Sequence, residues 1–167
     1  MNSILKNGAL CLLPLAPEHK DTFAMLATIP EVNRWINEPI PYTDAHFEAL
    51  MERTQTQNLR VWMIQHEGEL CGVINAGSRE KGIFQGGYWI HPAQSGKGIA
   101  SSALRLVKNF LLERCGAKRV QAVVEPENKA SMRVLEKCGY VKEDFRPKFY
   151  PTINRGPIDV WMYGCEK

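Results

Sequence analysis

Apolar and polar positions follow two periods along the chain, and the switches between them mark out its elements. Residues 3–15 (SILKNGALCLLPL) form an apolar run interrupted at Asn7-Gly8, the pattern of a strand or of a hairpin turning at that pair. Pro17 opens a short helix carrying Phe23, Leu26 and Ala27. Residues 30–42 are broken by three prolines and carry two aromatics, Trp35 and Tyr42. Thr43-Asp44 then caps a helix with Phe47, Leu50 and Met51 on one face. The pattern next becomes strand-like: 60–66 (RVWMIQH), a Glu67-Gly68 turn and 70–77 (LCGVINAG) predict a hairpin, and 82–92 (GIFQGGYWIHP) a further strand. Ile99, Ala103, Leu106, Val107, Phe110 and Leu111 return to helical spacing, and that helix stops at Gly116. Residues 118–126 read as a buried strand. Residues 128–139 read as a helix between an Asn128 cap and Gly139, and 140–150 and 157–164 as two last strands. The order β-α-α-β-β-β-α-β-α-β-β interleaves the two element types, which specifies a mixed α/β fold.

Composition narrows this. A chain of 167 residues with no repeat, linker or low-complexity tract fits one domain over 1–167. Its 44% hydrophobic and 23% charged residues are ordinary for a globular protein. No apolar run approaches the roughly 20 residues of a membrane span, and the N-terminus lacks the basic flank and cleavage site of a signal peptide. A formal charge of +3 without a basic stripe argues against nucleic acid as a partner. The five cysteines (Cys11, Cys71, Cys115, Cys138 and Cys165) are odd in number and include no CxxC pair. That usage fits reduced core thiols in a cytoplasmic protein and no metal site.

The chemistry concentrates in 86–107 (GGYWIHPAQSGKGIASSALRLV). A strand ends, glycines free the backbone, and a long helix begins. A phosphate-cradling Walker loop fails, because position 91 is His and position 98 is Gly. A dinucleotide fingerprint fails at Ser101 and lies too late in the chain. Two readings remain open on the residues alone: a helix start that binds an anion through free N–H groups, with Lys97 adding charge, or a plain glycine turn.

The stretch GYWIHPAQSGKGIA followed by NKASMRVLEKCGY resembles the GCN5-related N-acetyltransferase (GNAT) superfamily, within it the branch of ribosomal-protein N-terminal acetyltransferases. The likeness is strong over 60–164 and looser before. The family's Q/R-x-x-G-x-G/A signature aligns with 93–98, where Ala93 replaces the first residue and Gly96 and Gly98 are kept. The resemblance implies a single-domain α/β GNAT fold: a mostly antiparallel mixed sheet with a splayed parallel pair, here 83–91 and 119–124, flanked by helices. It implies acetyl-CoA as cosubstrate and no metal. The pantetheine arm would pair with the backbone of Trp89, Ile90 and His91, next to a bulge at Gly86-Gly87. Ser95, Gly96, Lys97, Gly98, Ile99 and Ala100 would hold the pyrophosphate, and Asn128 and Ser131 would contact the arm. A backbone N–H of 88–91 would hold the oxyanion. The position of the family's commoner tyrosine acid is Leu135, so the resemblance makes Ser131 the proton donor to the leaving thiolate.

A base is harder to find. Where relatives carry Glu in the strand before the loop, this chain has Gln85, and a second carboxylate position falls near Tyr150. His91 and Tyr150 remain as relays. Neutralising a lysine amine at pH 7 costs about 4.6 kcal/mol, an α-amine only about 1 kcal/mol. A site without a strong base therefore suits an α-amine, such as a ribosomal protein N-terminus. Trp35, Tyr42, Gln85 and Asp159 are candidate acceptor contacts, with Trp35 and Tyr42 equally suited to a core plug and Asp159 to structural pairing. Acidic residues of the first third (Glu31, Glu38, Asp44, Glu48) leave room for a small cationic amine: a polyamine, an amino acid or an aminoglycoside. A non-catalytic acyl-CoA-binding module is the rival from another class. The expected assembly is a monomer or homodimer.

Overall fold

The computed structural model describes residues 3–56 and 58–167. Residues 3–15 form the hairpin alternative: β1 (Leu5–Asn7) and β2 (Leu10–Pro14) flank Gly8, whose φ of 58° suits the turn. Helix α1 (Lys20–Ala27) follows a single 3-10 turn. The proline-broken segment contains one element that the pattern did not predict, a four-residue helix α2 (Pro30–Asn33). Proline is tolerated there because the first helical position has no acceptor for its N–H in any case. Then come α3 (Asp44–Thr56), β3 (Leu59–His66), β4 (Glu69–Glu80), β5 (Ile83–Ile90), α4 (Ile99–Arg114), β6 (Arg119–Val124), α5 (Lys129–Lys137), β7 (Val141–Tyr150) and β8 (Ile158–Glu166).

The eight strands form one sheet in the order β1-β2-β3-β4-β5-β6-β8-β7. Every neighbouring pair is antiparallel except β5 and β6, which are parallel. Helices cover both faces, so the central strands are apolar on both sides. In β3, Trp62 and Ile64 face a core shared with α4 and α5, while Val61 and Met63 face a second core shared with α1 and α3. Helix α4 turns Ala103, Val107 and Leu111 onto the first core, at the three-to-four-residue spacing that marked it in the sequence.

The expected bulge at Gly86-Gly87 is not there. Both residues pair in regular register with Ala76 and Asn75, and the register slips instead between Ser78 and Glu80. Gly86 answers to packing: a Cβ there would collide with the Asn75 carbonyl, whereas one at Gly87 would meet open space.

Candidate active site

Parallel pairing between β5 and β6 runs through Ile83–Arg119, Phe84–Val120 and Gln85–Gln121. Beyond that point β5 stays paired with β4 and β6 with β8, but not with each other. The two strands part at Gln85, whose Oε1 accepts from Gln121 Nε2 at 3.0 Å. The His91 N–H donates across β4 to the Cys71 carbonyl at 2.7 Å. Hydrogen-bonding direction alternates along a strand, so Trp89 also turns its backbone to β4, opposite Val73. The expectation that Trp89, Ile90 and His91 would all offer backbone groups to the opening is therefore corrected. Ile90 and Tyr88 face the gap, and Trp89 and His91 are spent on the ladder.

At the end of β5 the chain makes a 3-10 turn, Pro92–Gln94, capped by His91 Nδ1 accepting from the Ala93 N–H at 3.1 Å. This places the His91 ring in a cap and away from the cleft lining. Gly96 and Gly98 adopt φ of 78° and 75°, a region open to glycine and strained for most other residues. Gly98 is the N-cap of the 16-residue α4, and the first helical bond runs from Ser102 N–H to the Gly98 carbonyl. Among the described residues, the N–H groups of 96–101 donate to no backbone carbonyl. Such a row of free donors at a helix start is an anion cradle. Neither glycine has an atom within 4 Å of where a Cβ would sit, so the backbone stands open to a ligand. Lys97 lies beside it, its Nζ donating to Gln94 Oε1 at 2.9 Å, and Ser95 and Ala100 flank it. Ile99 is buried and anchors the helix start in the core.

Helix α5 begins across the opening. Asn128 caps it, its side-chain oxygen accepting from the Ser131 N–H at 3.2 Å. Ser131 Oγ lies 2.9 Å from the Tyr88 hydroxyl, which also donates to the Ser131 carbonyl at 3.3 Å. Burial pushes the Tyr88 phenol up to about 12, against the smaller pull of its bond to Ser131, so the phenol keeps its proton at neutral pH. Leu135 is fully buried in the core one turn on.

A cleft of about 380 Å³ opens where β5 and β6 part, between Tyr88 and the start of α5. It runs from Trp35, Glu38 and Arg53 on the α1–α3 side, past Gly86 and Trp89, to Asn128 and Ser131 at the splay. Gln85, Tyr150 and Arg155 also line it. Arg155 is fixed by a two-pronged ion pair to Glu125, the shorter contact 2.6 Å. Trp89 packs edge-on to Phe23 with ring centres 5.8 Å apart, and its indole N–H is buried without a partner. The Glu38 carboxyl is pushed up to about 7 by burial, which outweighs the lowering effect of Arg53.

Two candidate acceptor contacts fall outside the cleft lining. Tyr42 stacks on Phe23 at 5.3 Å in the second core with its hydroxyl buried, the core-plug alternative. Burial raises that phenol further above its ordinary value, and nearby Glu38 adds to the shift. Asp159 Oδ1 accepts from the Lys148 N–H at 2.8 Å and holds β7 where Lys148 turns to a φ of 45°. Sequence reasoning missed Tyr88, Arg53 and Arg79 as lining residues, and named Glu38 only as one of four acidic residues that leave room for a cationic amine. Strand alternation places Tyr88 on the α5 side of β5 and was the one signal that could have found it. Nothing local distinguishes Glu38, because its burial comes from segments far away in the chain.

The sequence profile of the acetyltransferase (GNAT) domain matches residues 9–141. The chain belongs to the GNAT acetyltransferase family. Bacillus subtilis YjcK, named a probable N-acetyltransferase, is 28% identical over 139 residues, covering 81% of this chain and 76% of that protein. This acetyltransferase also shares its fold with solved GNAT structures. RimL, the ribosomal L7/L12 alpha-N-protein acetyltransferase solved in complex with coenzyme A, superposes with a TM-score of 0.85 at 19% identity over 98% of each chain. The self-immunity acetyltransferase MccE, in complex with acetyl-CoA and AMP, gives a TM-score of 0.84 at 20% identity over 96% of this chain and 94% of that one. Among the described residues there is no cluster of metal-ligating side chains, and no helix is long and apolar enough to cross a membrane.

Proposed function

We propose that this chain transfers the acetyl group of acetyl-CoA to a primary amine, with a protein N-terminal α-amine as the acceptor. The observation that carries the reading is the cleft that opens where β5 and β6 part. It runs from the opened edge of β5, where Tyr88 lies near Asn128 and Ser131, to a partly apolar pocket on the far side of the sheet, while the free helix-start N–H groups stand outside its lining, past the end of β5. The N–H groups of 96–101 suit the pyrophosphate, and the backbone of Tyr88 and Ile90 suits the pantetheine amides and the thioester oxygen. The acceptor amine enters past Trp35, with Gln85 and Tyr150 on the walls, and attacks directly in a ternary complex. Ser131 gives its hydroxyl proton to the leaving thiolate. Tyr88, kept protonated by burial, orients that hydroxyl and relays to it the proton the nitrogen sheds as the amide forms. The protein works in the cytoplasm as a monomer or homodimer.

The test is CoA release over a panel of free N-terminal peptides, the same peptides N-blocked with an internal lysine, polyamines, amino acids and aminoglycosides. Fastest release with free α-amines supports the reading. Preference for the lysine peptides or for a small amine moves the acceptor to that class. Acetyl-CoA binding without release on any amine would make the chain a binding module.

A further inference from the structure

The reaction needs a group that takes a proton from the acceptor, and Gln85 cannot serve. Its amide oxygen is also already engaged by Gln121. Among the cleft residues one carboxylate has no partner. Glu125 is neutralised by Arg155. Glu38 lines the same cavity, and among the described residues its carboxylate makes no hydrogen bond or ion pair. The backbone fixes where that carboxylate sits. The Glu38 carbonyl accepts from Asn33 Nδ2 at 3.1 Å and from Asn154 Nδ2 at 3.4 Å, and Asn37 Oδ1 accepts from the Ile153 N–H at 2.7 Å. The bonds from Asn154 and Ile153 staple residues 37–38 to the loop between β7 and β8, which also lines the cleft. An unpaired carboxylate held in a desolvated wall is costly unless a cation comes to it.

Resting on the acetyl-transfer reading above, we propose that Glu38 receives the acceptor ammonium and takes its proton. The amine nitrogen's freed lone pair then forms the C–N bond to the thioester carbonyl carbon as the C–S bond breaks. The thiolate takes the Ser131 proton, the nitrogen's second proton returns to Ser131 through the Tyr88 hydroxyl as the amide forms, and Glu38 passes its own to solvent. The charged and titratable groups around Glu38 fit this role. Arg53 on α3 keeps part of the Glu38 population ionised at neutral pH, and the Tyr42 phenol behind it stays neutral. Arg79, Tyr88, Tyr150 and the Arg155–Glu125 pair line the rest of the cleft and add no second unpaired carboxylate. With its carboxyl near 7, Glu38 is matched to an α-amine near 7.8.

The test is the pH profile of kcat/KM for wild type, Glu38→Gln and Glu38→Asp, with acetyl-CoA and the best amine of the panel. Wild type needs ionised Glu38 and protonated amine, so for an α-amine its profile is a bell centred near about pH 7.4. Glu38→Gln needs the amine already neutral, so its profile rises and levels off above about pH 8.5. A loss of about 100-fold at pH 7 should therefore shrink to a few-fold at pH 9, and Glu38→Asp should restore the bell in part. Acetyl-CoA affinity should not change. A Glu38→Gln loss that stays constant across pH overturns the proposal in favour of a structural role, as does a variant within threefold of wild type throughout. Wild type that releases no CoA on any amine overturns the acetyl-transfer reading itself and Glu38's role with it.

Discussion

Replacing Glu38 by glutamine should raise stability at pH 8 and change it little at pH 4. Burial lifts the Glu38 carboxyl from 4.5 to about 7 in the folded protein. The folded state therefore holds this proton more tightly than the unfolded chain does. The contribution is complete below about pH 4.5 and is lost as pH rises to and through 7. Each tenfold difference in proton affinity between the two states is worth about 1.36 kcal/mol, so wild type above pH 7 is about 3 kcal/mol less stable than it would be with a neutral side chain there. At pH 5 the difference falls to about 1 kcal/mol, and at pH 4 it vanishes. For a chain of this size 1 kcal/mol is about 2–4 °C in Tm. Glu38→Gln should thus melt about 6–12 °C above wild type at pH 8, and within a few degrees of it at pH 5. Any pH-independent cost of burying the amide shifts both values equally, so the quantity to read is the change in the Tm difference between pH 8 and pH 5, by calorimetry. A Tm difference that is the same at both pH values would show that Glu38 is not desolvated in the folded protein. That result would remove the physical basis for its role as base.

Other substitutions separate the remaining roles. Ser131→Ala should bind acetyl-CoA with unchanged affinity by calorimetric titration and lose about 100-fold in kcat; Tyr88→Phe, which removes only the hydroxyl 2.9 Å from Ser131 Oγ, should lose about tenfold or less. Gly98→Ala, at a φ of 75° in the cradle, should cost about 1–2 kcal/mol of stability and raise the acetyl-CoA Kd, while leaving the amine KM alone. Asp159→Ala should lower stability by about 1 kcal/mol through loss of the bond to the Lys148 N–H, and leave kcat/KM for the amine within twofold. A larger activity loss would restore Asp159 as an acceptor contact.

The two halves of the site differ in how far the sequence could reveal them, and the reason is physical. The cofactor half is built from backbone over one short stretch. A strand that must lose its neighbour, two glycines at positive φ and a helix start all lie within 86–102, so the residue types alone carry the geometry. Even there, side-chain pattern could not say which carbonyls and N–H groups of 88–91 face the gap. That depends on the pairing of His91 with Cys71, twenty residues earlier. The proposed acceptor half is assembled from side chains of α3, β4, β5 and irregular segments, which meet only after the sheet has formed. The bulge expected at Gly86-Gly87 failed for the same reason: the glycine answers to a carbonyl on the neighbouring strand, not to a local bend. Glu38 is the extreme case. It sits between an asparagine and a proline in a segment with no period at all, and its environment is set by Asn154 and Ile153, more than a hundred residues away. A carboxylate on an exposed loop and a carboxylate desolvated in a cleft are the same letter in the sequence. What distinguishes them is a long-range staple.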